Sequence, residues 1–340
     1  MADLLKALLE WLRGFLGDSK SKPIPKPTPK PKPTPKPPVK PSKPTPKYPE
    51  KLHWRMGGLW VGNEPYWLCG VGDPENFLWR KDQARMIRKL TRNKIRGMVA
   101  YACQTHGGDA KHEDATDWNP FKQHNPKKGL DPKVLNKWNQ WFMKLDDAGC
   151  AVVLNLYDDE SMPFGGDKNR IYPLEKKYIE GLVARFSHLK HLIWMVAEEY
   201  QEICTASKIR RISRLIRTID SVHPIAVHQI HGLDFHFKNT PINLFLIQYN
   251  NAEKHSLKNA MTKAVREARG RYGVVLFEST QPGMDTYGTG KIAREKDKVC
   301  ADAGAYVMRY QRGQWAFPDD DLKDMRRLSE KMERKQRENL

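Results

Sequence analysis

Two glutamates, Glu199 and Glu278, each close a short apolar run. The first run reads His191-Leu192-Ile193-Trp194-Met195-Val196-Ala197-Glu198-Glu199, and the second Tyr272-Gly273-Val274-Val275-Leu276-Phe277-Glu278. An ionised group is expensive to remove from water without partners, so a buried strand tipped by a carboxylate is costly to build. In a closed parallel barrel every strand tip opens onto one face, where reacting groups collect. Two carboxylates facing each other there can split a glycosidic bond.

The elements that must hold these tips recur along the chain. Strands are predicted at Tyr66–Val71, Ile95–Ala102, Ala151–Tyr157, Leu192–Ala197, Pro224–His228, Asn243–Tyr249, Gly273–Phe277 and Ala305–Tyr310. Amphipathic helices are predicted between them, at Gln83–Arg92, Pro132–Ala148, Leu174–Phe186, Ser207–Ser221, Lys258–Gly270 and Lys291–Ala303. Gly149 and Gly304 stand where helix C-caps precede strands. Eight such repeats imply an α/β fold, a (β/α)8 TIM barrel. A doubly wound sheet is the alternative, but no glycine-rich phosphate fingerprint follows the first strand. A hairpin spanning Gly58 to Gly70 leads in, turning at Gly62-Asn63-Glu64-Pro65. Turn chemistry accounts for the Asn63-Glu64 pair, which is not taken as a site. The domain assigned to the barrel is 52–318, and 319–340 is read as a charged C-terminal helix, on the surface or frayed.

Polar residues crowd the expected strand ends. They include Gln104 and His106 after strand two, Tyr157 and Asp158 after strand three, and Glu198 and Glu199 after strand four. His228 and His231 follow strand five, Tyr249 strand six, Glu278 strand seven and Trp315 strand eight. One polar strand end means little, but seven would line one pocket. The histidines form no convincing metal site with neighbours in sequence, and no cofactor is required.

With these residues in place, the stretch from Leu59 to Phe317 resembles the retaining glycoside hydrolases of clan A, the cellulase-like barrel family. In that clan strand four carries Trp, three residues, then Asn-Glu. Here Trp194-Met195-Val196-Ala197-Glu198-Glu199 sets Glu199 in the acid/base place and Glu198 in that of the asparagine. The resemblance implies that Glu278 is the nucleophile. It also implies that Tyr249 positions Glu278 and that Trp315 stacks under a sugar. Gln104, His106, Tyr157, Asp158, His228 and His231 complete the expected substrate-binding set with Glu198. A carboxylate at 198 can still accept from the sugar hydroxyl beside the reacting carbon, and its charge would raise the pKa of Glu199. The alternatives are a carbohydrate-binding pseudoenzyme, with Glu198 as the damaging change, and a tethered interaction protein using the barrel as scaffold.

The N-terminus differs in kind. Residues 1–17 predict an amphipathic helix, with Leu4, Leu5, Leu8, Leu9, Trp11, Leu12, Phe15 and Leu16 on one face. It is too short and too charged to span a bilayer, and it lacks a convincing secretory signal. A membrane surface or a protein partner suits it. Residues 18–51 form a Pro/Lys-rich linker; Pro23 to Pro49 holds 13 of the 24 prolines, a semi-rigid spacer. Such a tethered layout suits a peripheral membrane, cell-envelope or virus-particle setting. The net charge is +19. That would suit nucleic acid, but no recognisable nucleic-acid-binding motif accompanies it, and a solvated basic surface is the reading adopted. The five cysteines show no CxxC spacing and read as buried free thiols, which favours a reducing compartment.

Overall fold

All eight predicted apolar runs contain a strand, and these close on themselves. A computed structural model describes residues 49–72, 77–79, 82–103, 119–158, 162–230, 237, 239–249, 254–278, 289–310 and 317–339. The predicted N-terminal helix, and the linker as far as residue 48, lie outside the described residues. The leading strands are β1 (Leu52–Arg55), β2 (Gly58–Val61) and β3 (Glu64–Tyr66). The barrel strands are β4 (Cys69–Gly72), β5 (Gly97–Tyr101), β6 (Ala151–Asn155), β7 (Leu192–Met195), β8 (Ile225–Gln229), β9 (Ile242–Gln248), β10 (Gly273–Glu278) and β11 (Tyr306–Tyr310). They pair in parallel round a closed ring, with β11 rejoining β4. Such strands are covered on both faces, which is why they read as unbroken apolar runs.

The helices are α1 (Gln83–Arg92), α2 (Pro132–Asp147), α3 (Pro173–Phe186), α4 (Tyr200–Ile203), α5 (Ala206–Ile219), α6 (Lys254–Ala268), α7 (Gly290–Ala303) and α8 (Asp319–Glu338). Local chemistry sets their ends. Asp131 accepts from the Lys133 amide ahead of Pro132, and Thr205 accepts from the Lys208 amide at the start of α5. Gly304 ends α7 at φ 88°, a left-handed conformation that favours glycine. The buried Ile209, Ile212 and Ile216 give α5 its inward face. Among the described residues no helix is long and apolar enough to cross a membrane.

Two expectations are corrected. The single arm read from Tyr66 to Gly70 is divided: Tyr66 ends the antiparallel β1–β2–β3 sheet, and Cys69 opens the barrel. The C-terminal helix is not a loose surface element. Leu322, Met325 and Met332 are buried at helical spacing between charges, Asp321 is fully buried, and Glu333 pairs with Arg96 at 3.0 Å. Charge on the exposed face of α8 hides a narrow apolar stripe in the sequence.

Inside the ring, packing is close. A Cβ on Gly70 would lie 2.2 Å from the Gly97 carbonyl, and one on Gly72 would lie 2.7 Å from the Phe277 ring. Phe277 and Val99 therefore face the interior, and by strand alternation so does Tyr101. Asn155 and Met195 share its register on β6 and β7.

Candidate active site

The barrel strands continue as a backbone ladder past their formal ends. Leu156 N–H donates to Met195 O (2.9 Å), Val196 N–H to Ala226 O (2.9 Å), Glu198 N–H to Tyr157 O (3.0 Å) and His228 N–H to Ala197 O (3.1 Å). Asp158 N–H donates to Cys103 O at 3.2 Å. The polar tips of strands two to five are thus fixed relative to one another by main-chain bonds.

Glu198 and Asp158 are both 4% exposed. The Tyr101 hydroxyl donates to Glu198 Oε1 at 2.9 Å. Burial, and then the charges of Glu198 and Asp158, hold the Tyr101 pKa well above its ordinary value, so it remains a donor. Sequence reasoning missed Tyr101 because it belongs to the apolar run itself. The only signal was its place as the last residue of β5. Asn155, at the same level on β6, was also missed; it is fully buried, and neither amide atom has a partner among the described residues.

Glu199 has φ 35° and ψ 51°, a left-handed backbone for a residue with a Cβ. Such conformations cost about 1–3 kcal/mol and persist where the surroundings over-determine them, often at functional sites. Here two bonds pin it. The Glu199 N–H donates to His228 Nδ1 at 3.3 Å, and its carbonyl accepts from Glu202 N–H at 2.9 Å. The chain turns into α4 immediately after the carboxylate-bearing residue.

Glu278 is the last residue of β10. The register against β9 runs Leu276↔Ile247 and then Glu278↔Gln248, two residues against one. Irregularities of this kind re-aim side chains at barrel rims. Tyr249 follows Gln248 directly and is half-buried against the core. The strands leading to Glu199 and Glu278 lie three apart in a ring of eight.

His228 is fully buried on β8. Its ring meets that of Phe277 at 4.9 Å and 83°. Burial drives its pKa down to about 3, so the imidazole is neutral. Tyr157 is turned away from the mouth into the helix layer. Its hydroxyl donates to Glu175 Oε1 at 3.1 Å, and Glu175 pairs with Lys208 at 2.9 Å. Gln104, His106, His231 and Trp315 lie outside the described residues, and the structure describes Glu278 only in its backbone. The structure therefore brings together Glu198, Glu199, His228 and Asp158 with Tyr101. Among the described residues no group of three or more His, Cys, Asp or Glu could hold a metal ion.

No protein-family model matches the sequence, and no curated protein matches it significantly. Solved structures share the fold. A candidate glycoside hydrolase from Bacteroides vulgatus ATCC 8482 aligns over 79% of this chain at 14% identity and TM-score 0.62. That alignment spans 56% of the Bacteroides protein, little more than half its length. A glycoside hydrolase family 5 mannosidase from Rhizomucor miehei aligns over 84% of this chain and 99% of its own, at 12% identity and TM-score 0.61. The endo-β-1,4-mannanase of Thermotoga petrophila covers 79% and 77%, at 11% identity and TM-score 0.55. At these identities the likeness is one of fold, the fold of family 5 glycoside hydrolases.

Proposed function

We propose that the chain is a glycoside hydrolase working by the retaining double displacement. Glu278 attacks the anomeric carbon and forms a glycosyl-enzyme, and the leaving oxygen departs with a proton from Glu199. Glu199 then takes a proton from water as that water attacks the same carbon, which releases the sugar and frees Glu278. The observation that carries this reading is the placement of two glutamates at the tips of barrel strands four and seven, one in a left-handed backbone and one at a register shift. Tyr101 holds Glu198, which accepts from a sugar hydroxyl, and Tyr249 and Trp315 shape the sugar's seat. The mannosidases and mannanases that share the fold put β-mannosides first among substrates to try.

The test is a pair of variants assayed on aryl glycosides. Glu278→Gln is expected to lower kcat by about 10⁴-fold or more on every substrate, the scale seen when one member of a catalytic unit is removed. Glu199→Gln should keep the first step on a dinitrophenyl glycoside, which needs no protonation, and azide should restore the second. Equal loss in both variants without azide rescue sinks the assignment. The buried carboxylate at 198 favours one second reading, a sugar-binding protein without turnover. Sugar binding by a wild type that cleaves no glycoside would select it.

A further inference from the structure

We infer that His228 is a positioning residue for the acid/base carboxylate. It gauges the two glutamate-bearing strand ends against one side chain. The geometry stands by itself; the catalytic consequence rests on the hydrolase reading.

At 0% exposure His228 is walled off from any substrate, so the direct sugar contact expected for it gives way to an indirect role. The Glu199 amide donates to Nδ1, which obliges that nitrogen to be unprotonated and puts the ring proton on Nε2. A cationic ring would set one N–H against another. The low pKa that burial gives the ring removes that danger at any ordinary pH. Nε2 is buried and has no hydrogen-bond partner among the described residues. The nearly perpendicular ring of Phe277 supplies the contact on that side chain instead.

Both neighbours matter. Phe277 immediately precedes Glu278, and the Glu199 amide immediately precedes the Glu199 side chain. One rigid ring, rooted on β8 between them, therefore touches both approaches. Gln201 Oε1 accepts from the Ile230 amide at 3.2 Å, a second tie between α4 and the end of β8. A left-handed residue needs such ties, because relaxing its backbone would re-aim the side chain it carries.

The experiment uses the full chain and two variants. His228→Phe keeps a ring against Phe277 and removes the acceptor; His228→Gln replaces the acceptor with an amide oxygen. The two substrates are an aryl glycoside with a poor leaving group and a dinitrophenyl glycoside. His228→Phe should lose about 10²-fold in kcat/KM on the first, the scale of a small misplacement, and only a few-fold on the second. KM should hold, and His228→Gln should recover most of the loss. Equal loss on both substrates at an unchanged melting temperature overturns the inference. A measurement independent of activity is the NMR scalar coupling between the Glu199 amide nitrogen and His228 Nδ1 in the wild type. Its presence supports the role, and its absence overturns it even if His228→Phe fails to fold. A wild type that cleaves no glycoside refutes the hydrolase reading, and the coupling then decides the geometry alone.

Discussion

Glu198 at the barrel mouth and Asp297 and Asp321 behind β11 are buried acids that meet different kinds of group. Behind β11 a fully buried guanidinium neutralises them. Arg309 Nε donates to Asp297 at 2.8 Å, and Arg309 Nη1 lies 3.1 Å from Asp321. Asp321 also meets Arg294 at 2.8 Å and accepts from the Gly290 amide at 2.8 Å. These acceptors meet fixed partners on β11 and α7. At the mouth Glu198 meets a neutral tyrosine hydroxyl, and the next residue holds a strained backbone against a neutral imidazole. The first arrangement cancels charge and locks α7 and α8 to the barrel. The second includes uncharged groups, the Tyr101 hydroxyl at Glu198 and the His228 ring at the Glu199 amide.

The largest effect separating these regions belongs to the locked one. Arg309→Ala leaves two buried aspartates without their shared cation, and breaking a buried pair in this way costs about 3–5 kcal/mol. The loss should appear in denaturant unfolding, while kcat per folded molecule stays near wild type. A comparable drop in kcat would mean that the lock and the mouth are coupled.

Tyr101→Phe tests the other side. It deletes the hydroxyl that Glu198 accepts, and hydrogen bonds to charged groups contribute about 1.5–3 kcal/mol. We expect kcat/KM to fall by roughly 10–100-fold, with a smaller fall in melting temperature than for Arg309→Ala. If stability falls and activity does not, Tyr101 belongs with the structural locks and the contrast fails.

The sequence displayed the scaffold better than the site, for a physical reason. Parallel barrel strands are buried on both faces, so runs such as Ala151-Val152-Val153-Leu154 announce themselves without alternation. Alternation is also what tells an inward side chain from an outward one. Tyr157 was expected in the pocket because it stands at a strand end, although its hydroxyl reaches Glu175 in the helix layer. Tyr101 was passed over for the opposite reason: a polar group inside an apolar run reads as core. Glu199 could be picked out by its place after Trp194, but its left-handed backbone depends on His228, 29 residues on, and no local pattern encodes that bond. The stripe on α8 was masked by charges that pair with neighbours distant in sequence, as Arg337 does with Glu64 at 2.9 Å.

The smallest effect concerns a carboxylate of the outer layer directly behind the strand that leads to Glu199. Asp220 accepts from Trp194 Nε1 at 2.8 Å, from the Val222 and His223 amides at 3.1 Å each, and lies 2.6 Å from His223 Nδ1. Burial alone would raise its pKa. The hydrogen bonds from His223 and Trp194, with the attraction of His223, outweigh burial and hold it well below the usual carboxylate range. A folded-state pKa below the unfolded value of about 3.9 contributes stability that is present above that pH and lost as pH falls through the folded value. Asp220→Asn keeps one acceptor oxygen and should cost about 1 kcal/mol at pH 7, with kcat unchanged. The gap between variant and wild type in denaturant unfolding should narrow steadily as the medium is acidified below pH 4. A gap that stays constant with pH would show that shape, not charge, holds Trp194. The contrast between the two regions would then rest on Arg309 alone.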